Sequence, residues 1–92
     1  MRIRWTATAL NDFKAIAHRI ERERNLVTAN RVCREIYEAI QNLRKHPHIG
    51  RPGTEERTRE LVIAKLPYIV VYRPEPEAVQ ILRIWHGAQD WR

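Results

Sequence analysis

Ninety-two residues allow one domain, spanning 1–92, with no room for a second core or a deep internal cofactor chamber, so any site is expected to be a shallow surface groove. The net charge of +6, from 17 Lys and Arg against 11 Asp and Glu, favours a polyanionic partner such as nucleic acid, a nucleic-acid machine or an acidic protein, although a basic surface that only keeps the chain soluble also accounts for it. The single cysteine, Cys33, excludes an internal disulfide and suits a reducing cytoplasm, and no apolar run approaches the ~20 residues of a membrane span.

The chain starts with Arg2-Ile3-Arg4-Trp5, whose alternation predicts a half-buried strand with Ile3 and Trp5 on one side. The same segment lacks the apolar stretch of a secretory leader, so a cytoplasmic location is expected. Thr6 and Thr8 are candidate helix caps, and Asp12 suits the positive end of a helix dipole. Leu10, Phe13, Ile16, Ala17 and Ile20 recur at steps of three and four, which predicts a helix from about Thr8 to Arg24. Lys14, His18, Arg19, Arg22 and Glu23 occupy its opposite face.

After a short link, Thr28 is the expected cap of a second helix, with Val32, Ile36, Ala39, Ile40 and Leu43 as its stripe and Cys33 beside it. Two amphipathic helices joined this closely predict an antiparallel hairpin. Pro47, Gly50, Pro52 and Gly53 end the second helix and predict a loop to about Arg57. Three apolar runs follow, at about Arg59–Lys65, Tyr68–Arg73 and Ala78–His86, with turns at Leu66-Pro67 and at Pro74-Glu75-Pro76-Glu77. The expected fold is α+β: an N-terminal strand and an antiparallel helical hairpin packed on one face of a twisted, mainly antiparallel sheet, in the order β-α-α-β-β-β. Tyr68 to Tyr72 is apolar on both faces, so the face away from the hairpin calls for a cover: Trp5, Trp85 or a partner.

Arg59, Arg73 and Arg83 belong to three strands that become neighbours when the hairpins form. A guanidinium cluster there would grip phosphate or carboxylate, unless each arginine is taken up by Glu60, Glu75 or Glu77. In a regular last strand Val79, Ile81, Arg83 and Trp85 share one face, and Gln80, Leu82, Ile84 and His86 the other. Gly87 allows the chain to bend after His86, which is either an acid–base or phosphate contact or a surface residue holding the C-terminal turn. Trp91, beyond the last strand, is a candidate contact residue. His46 and His48 lack the further ligands of a metal site, and no nucleophile elbow, phosphate loop or dinucleotide motif occurs, so neither metal nor cofactor is expected.

Trp5-Thr6, the stretch from Leu43 to Gly50-Arg51 with Pro47, Arg59-Glu60-Leu61-Val62, Pro67-Tyr68 to Tyr72-Arg73, and Ile81 to Asp90-Trp91 together resemble the RelE/ParE superfamily of toxins from type II toxin–antitoxin modules. The resemblance covers nearly the whole chain. It implies a small cytoplasmic toxin held inactive by an acidic antitoxin whose C-terminal segment wraps across the hairpin and sheet. The RelE branch cuts mRNA in the ribosome, and the ParE branch poisons DNA gyrase. Ribonuclease members usually carry an arginine where this chain has Ile69, and an aliphatic residue cannot stabilise a charged phosphorane. Many also carry a terminal Tyr or His where Trp91 and Arg92 stand. The run from His86 to Asp90 is more similar to the ParE and plasmid-stabilisation branch. The expected function is therefore gyrase inhibition without catalysis, with Arg59, Arg73, Arg83, His86 and Trp91 contacting the target. The alternative is a ribosome-dependent mRNA endoribonuclease, with His86 as acid or base and Arg83 or Arg59 clamping phosphate. An interaction module that has lost its toxicity is a third reading.

Overall fold

The computed structural model describes residues 1–87, and within them the elements are β1 (Arg2–Trp5), α1 (Ala7–Glu23), α2 (Leu26–Asn42), β2 (Arg51–Pro52), β3 (Arg59–Val62), β4 (Tyr68–Pro74) and β5 (Ala78–His86). They form a five-stranded sheet in the order β1-β5-β4-β3-β2. The β2–β3, β3–β4 and β4–β5 pairs are antiparallel, and β1 lies parallel to β5. The expected α+β arrangement is thus present, with a short extra strand, β2. That strand holds only Arg51 and Pro52, in a stretch whose Pro and Gly content reads as loop. Pro52 is tolerated because β2 is an edge, where a missing N–H costs no ladder bond.

The helix starts are specified locally. Thr6 caps α1: its hydroxyl accepts from the Ala9 N–H at 3.0 Å and donates to the Leu82 carbonyl at 3.2 Å, while the Thr6 N–H donates to Ile81 at 3.1 Å. One residue therefore both begins the helix and fastens it to β5. For α2 the cap is Asn25 rather than Thr28; its side chain accepts from the Thr28 N–H at 2.7 Å. Arg31 and Glu35, four residues apart on α2, pair at 3.0 Å on its exposed side.

The hairpin covers one face of the sheet. Ala9 and Ile16 of α1, with Val32, Ile36 and Ile40 of α2 and the following Leu43, meet Tyr68, Val70 and Tyr72 of β4 and Val79, Ile81 and Ile84 of β5. Tyr72, Ile36, Ile40, Leu43, Ile81, Val70 and Val79 are fully enclosed. Full burial of an aliphatic side chain of this size contributes about 1.5–3 kcal/mol, so this cluster supplies most of the driving force for docking helices on sheet. Trp5 belongs to this side as well, edge-on to Phe13 with ring centroids 5.3 Å apart, and so does not cover the opposite face. Cys33 is partly buried, and burial pushes its thiol up, away from a reactive thiolate.

Two further expectations are corrected. β3 ends at Val62 rather than Lys65, because the chain turns there with Lys65 in the left-handed region (φ 67°). The strict alternation expected for β5 is broken by a bulge: Tyr72 pairs with Ile81, but Val71 pairs with Arg83, so Leu82 is the extra residue. One added residue reverses the facing of everything after it. Val79, Ile81 and Ile84 consequently all reach the core. Arg83 and Trp85, which regular alternation would place with Val79, turn to the side away from the helices.

Candidate functional site

Among the described residues no helix lies over that second side of the sheet, and the register writes its surface. One row runs Arg4–Gln80–Arg73 across β1, β5 and β4. The next runs Arg83–Val71–Glu60–Arg51 across β5, β4, β3 and β2. Glu60, only 2% exposed, accepts from both Nε (3.0 Å) and Nη2 (2.9 Å) of Arg51, so the basic face holds one buried carboxylate paired with that arginine.

A groove of about 530 Å³ opens on this face, lined by Val71, Arg73, Leu82, Arg83 and Trp85, with threonines and Glu55 at its margins. The Arg83 guanidinium is held in a fixed pose. Its Nε and Nη2 donate to the two oxygens of Asp12 at 2.7 and 3.2 Å, and its carbon lies 4.0 Å from the centre of the Trp85 ring. Asp12 also accepts from the Ile84 N–H at 3.0 Å, closing the β5 edge beyond the end of β1. Asp12 therefore does not serve as a first-turn partner of the helix dipole; it braces Arg83. Arg73 stands between this groove and an adjoining one of about 510 Å³ that also contains Arg2, Arg4 and Arg57 with Glu75 and Glu77. The Nε of Arg73 is buried and has no hydrogen-bond partner among the described residues.

The predicted three-arginine cluster is thus a pair. Arg59 pairs with Tyr72, on the helix side, one position from Arg73, and successive residues of a strand point to opposite faces. Its Nη1 donates to the carbonyls of Gly50 (2.7 Å) and His48 (3.2 Å), holding the loop after α2. Beside it the Tyr72 hydroxyl accepts from the Gly50 N–H at 2.9 Å. Burial pushes the Tyr72 phenol above its ordinary value, partly opposed by that hydrogen bond and by the Arg59 charge.

His86 is also on the helix side, paired with Tyr68 and edge-on to it at 5.5 Å. The Tyr68 hydroxyl accepts from Arg19 Nη2 at 2.6 Å, so Arg19 belongs to the sheet-facing flank of α1 and not to its outer face. His86 shares a cavity of about 300 Å³ with Asp12, Arg19, Arg22, Arg83 and Trp85, so Arg83 borders both this cavity and the groove. The imidazole and the Arg73 guanidinium therefore occupy opposite faces. Ile69 pairs with Trp85 and Val62 on the uncovered face. Trp91 lies outside the described residues. No group of three or more His, Cys, Asp or Glu among them gathers to hold a metal, and no helix is long and apolar enough to cross a membrane.

Sequence reasoning missed Asp12 as a functional residue. The available signal was its position: Asp12 falls three residues after Ala9 and four before Ile16, within the buried stripe of α1, where a carboxylate requires a cation or several donors.

A family model described as the ParE toxin of the type II toxin–antitoxin system parDE matches residues 3–91. Over 90 residues, 98% of this chain and 92% of the relative, the sequence is 42% identical to "Putative toxin Y4kP" of Sinorhizobium fredii (strain NBRC 101917 / NGR234). A chain of the chromosomal ParDE system from P. aeruginosa superposes with a TM-score of 0.85 at 26% identity, covering 94% of this chain and 95% of that one. A chain of the RelBE2 toxin–antitoxin complex from Mycobacterium tuberculosis shares the fold, with a TM-score of 0.66 at 24% identity over 92% and 95% of the two chains.

Proposed function

The chain belongs to the ParE toxin family of type II toxin–antitoxin systems, and from that membership we propose that it arrests growth by binding DNA gyrase and is neutralised by an acidic cognate antitoxin. The observation that carries the gyrase reading is that Arg73 and the His86 imidazole lie on opposite faces of the sheet. Cleaving RNA requires an acid or base and a phosphate clamp around one reacting centre. Here His86 packs against Tyr68 on the helix side, and Arg83, which borders the same cavity, has its guanidinium bound to Asp12, whereas Arg73 lines the groove on the other face. Ile69, on the groove side, supplies no charge to a phosphorane. A cationic groove whose Arg73 faces away from the imidazole suits binding better than catalysis.

The antitoxin reading is supported by the solved relatives, which come from toxin–antitoxin systems, by the net charge, and by apolar side chains left exposed on the hairpin. Leu26 is 55% exposed and Val27 78%, with Leu10 and Tyr37 also open to solvent. Burying them under a partner would supply roughly 25 cal/mol per Å² before the costs of association.

The ribosome-dependent endoribonuclease is the second reading, and the cavity that His86 shares with Arg83, Arg19 and Arg22 favours it. Purified toxin added to gyrase supercoiling assays and to translating ribosomes separates the two. Inhibited supercoiling with intact mRNA is the expected result. Ribosome-dependent mRNA cleavage that disappears in His86→Ala would overturn it. In cells the same choice reads as DNA damage and filamentation against translation stopping within minutes.

A further inference from the structure

Arg73 and Arg83 are diagonal neighbours across β4 and β5, since Val71 is the partner of Arg83 and Arg73 lies two residues further along the same strand face. Diagonal residues of a regular antiparallel pair lie about 7–8 Å apart; the Leu82 bulge interrupts that spacing here, but both arginines line one groove, where side chains this long can reach one small anion. Arg83 spends one edge of its guanidinium on Asp12 and rests on Trp85, which fixes the direction of its remaining N–H groups. Arg73 brings a buried Nε–H with no acceptor among the described residues, an arrangement proteins avoid unless a ligand or water completes it. The carboxylates among the described residues do not complete it: Asp12 is engaged by Arg83 and Glu60 by Arg51, and neither Glu55 in this groove nor Glu75 and Glu77 in the adjoining one forms an ion pair with Arg73.

We propose that this groove is a receptor for a single oxyanion, a phosphate or a carboxylate group, bound between Arg73 and Arg83 above Trp85. Arg73 supplies the unsatisfied donor, Arg83 a pre-aimed second cation, and Thr8 and Thr54 stand at the margin with hydroxyls. Asp12 acts as a positioning residue, since it sets the pose of Arg83 without facing the ligand's charge. The site is a property of the isolated chain and holds whether gyrase or the ribosome is the target.

The test titrates sodium phosphate and, separately, sodium acetate into the full chain at constant ionic strength. Binding is followed by the NMR resonance of the Arg73 Nε–H and by tryptophan fluorescence. A saturable shift of that resonance is expected, with affinity reduced roughly tenfold or more in Arg73→Gln, intermediate in Arg73→Lys, and unchanged in Arg31→Gln on the outer face of α2. Tighter phosphate than acetate assigns the natural ligand to a nucleic-acid backbone or other phosphate; the reverse assigns it to an acidic side chain of a protein. Either order supports the receptor. A shift that stays linear to about 50 mM of both anions, or equal losses in Arg73→Gln and Arg31→Gln, means diffuse ionic screening and overturns it. The wild-type resonance decides the matter even if an arginine variant fails to fold.

Discussion

Asp12 shows how much one carboxylate can organise. It accepts two hydrogen bonds from Arg83 and one from the Ile84 N–H. Asp12→Ala leaves that N–H without its partner and frees Arg83 from its fixed pose. Hydrogen bonds to charged groups are worth about 1.5–3 kcal/mol, and part-exposure of the pair lowers that, so a loss of about 1–2 kcal/mol is expected in urea unfolding. Tyr72 is the corresponding point on the helix side. Tyr72→Phe removes the acceptor of the Gly50 N–H and should cost about 1–2 kcal/mol. The pH dependence follows from the raised phenol. Below about pH 10 it is neutral in folded and unfolded chains alike; above that the unfolded chain releases its proton first, so stability falls as pH rises toward the higher folded value. Tyr72→Phe should flatten this alkaline limb, and a wild-type limb of unchanged steepness in the variant would refute the assignment. Gly50→Ala should destabilise by about 1–3 kcal/mol, because a Cβ there would lie 2.7 Å from the Tyr72 hydroxyl and 2.8 Å from the Glu60 carbonyl oxygen.

At the level of elements, the caps and the bulge decide what the side chains can do. Thr6 caps α1 and also ties it to Ile81 and Leu82 of β5. Thr6→Ala should therefore exceed the ordinary loss of about 1 kcal/mol for a cap, whereas Asn25→Ala, on an exposed cap with no strand to hold, should match it. Equal losses in thermal or urea unfolding would show that the link to β5 carries no energy. The bulge at Leu82 lets β5 feed Val79, Ile81 and Ile84 to the core while turning Arg83 and Trp85 outward. A half-buried strand of nine residues thereby serves two faces that strict alternation would have mixed.

Across the whole molecule the sheet divides two tasks. The helix side carries the core, the loop clamp of Arg59 and the Arg19–Tyr68–His86 array. The uncovered side carries Arg4, Arg73 and Arg83. With a net charge of +6, association with an acidic antitoxin should be steered electrostatically. Raising salt from 50 to 500 mM should slow the association rate roughly tenfold or more while changing the dissociation rate little. An association rate indifferent to salt would remove charge from the account of partner choice.

The order and type of the main elements were legible in the residues, because periods of two and of three to four report a buried face directly and Thr6, Pro and Gly mark the boundaries. The Arg59–Tyr72 and Arg83–Val71 register was not, since sliding a strand by one residue reverses its faces without altering its local pattern. For the same reason the sequence could nominate Arg59, Arg73 and Arg83 together, and only packing separated the first from the other two. Asp12 and Arg83 are 71 residues apart, and neither calls for the other until α1 is laid against the edge of β5. Composition and periodicity determined which layers this chain builds; the bulge and that long-range ion pair, products of tertiary packing, decided which charges share a surface.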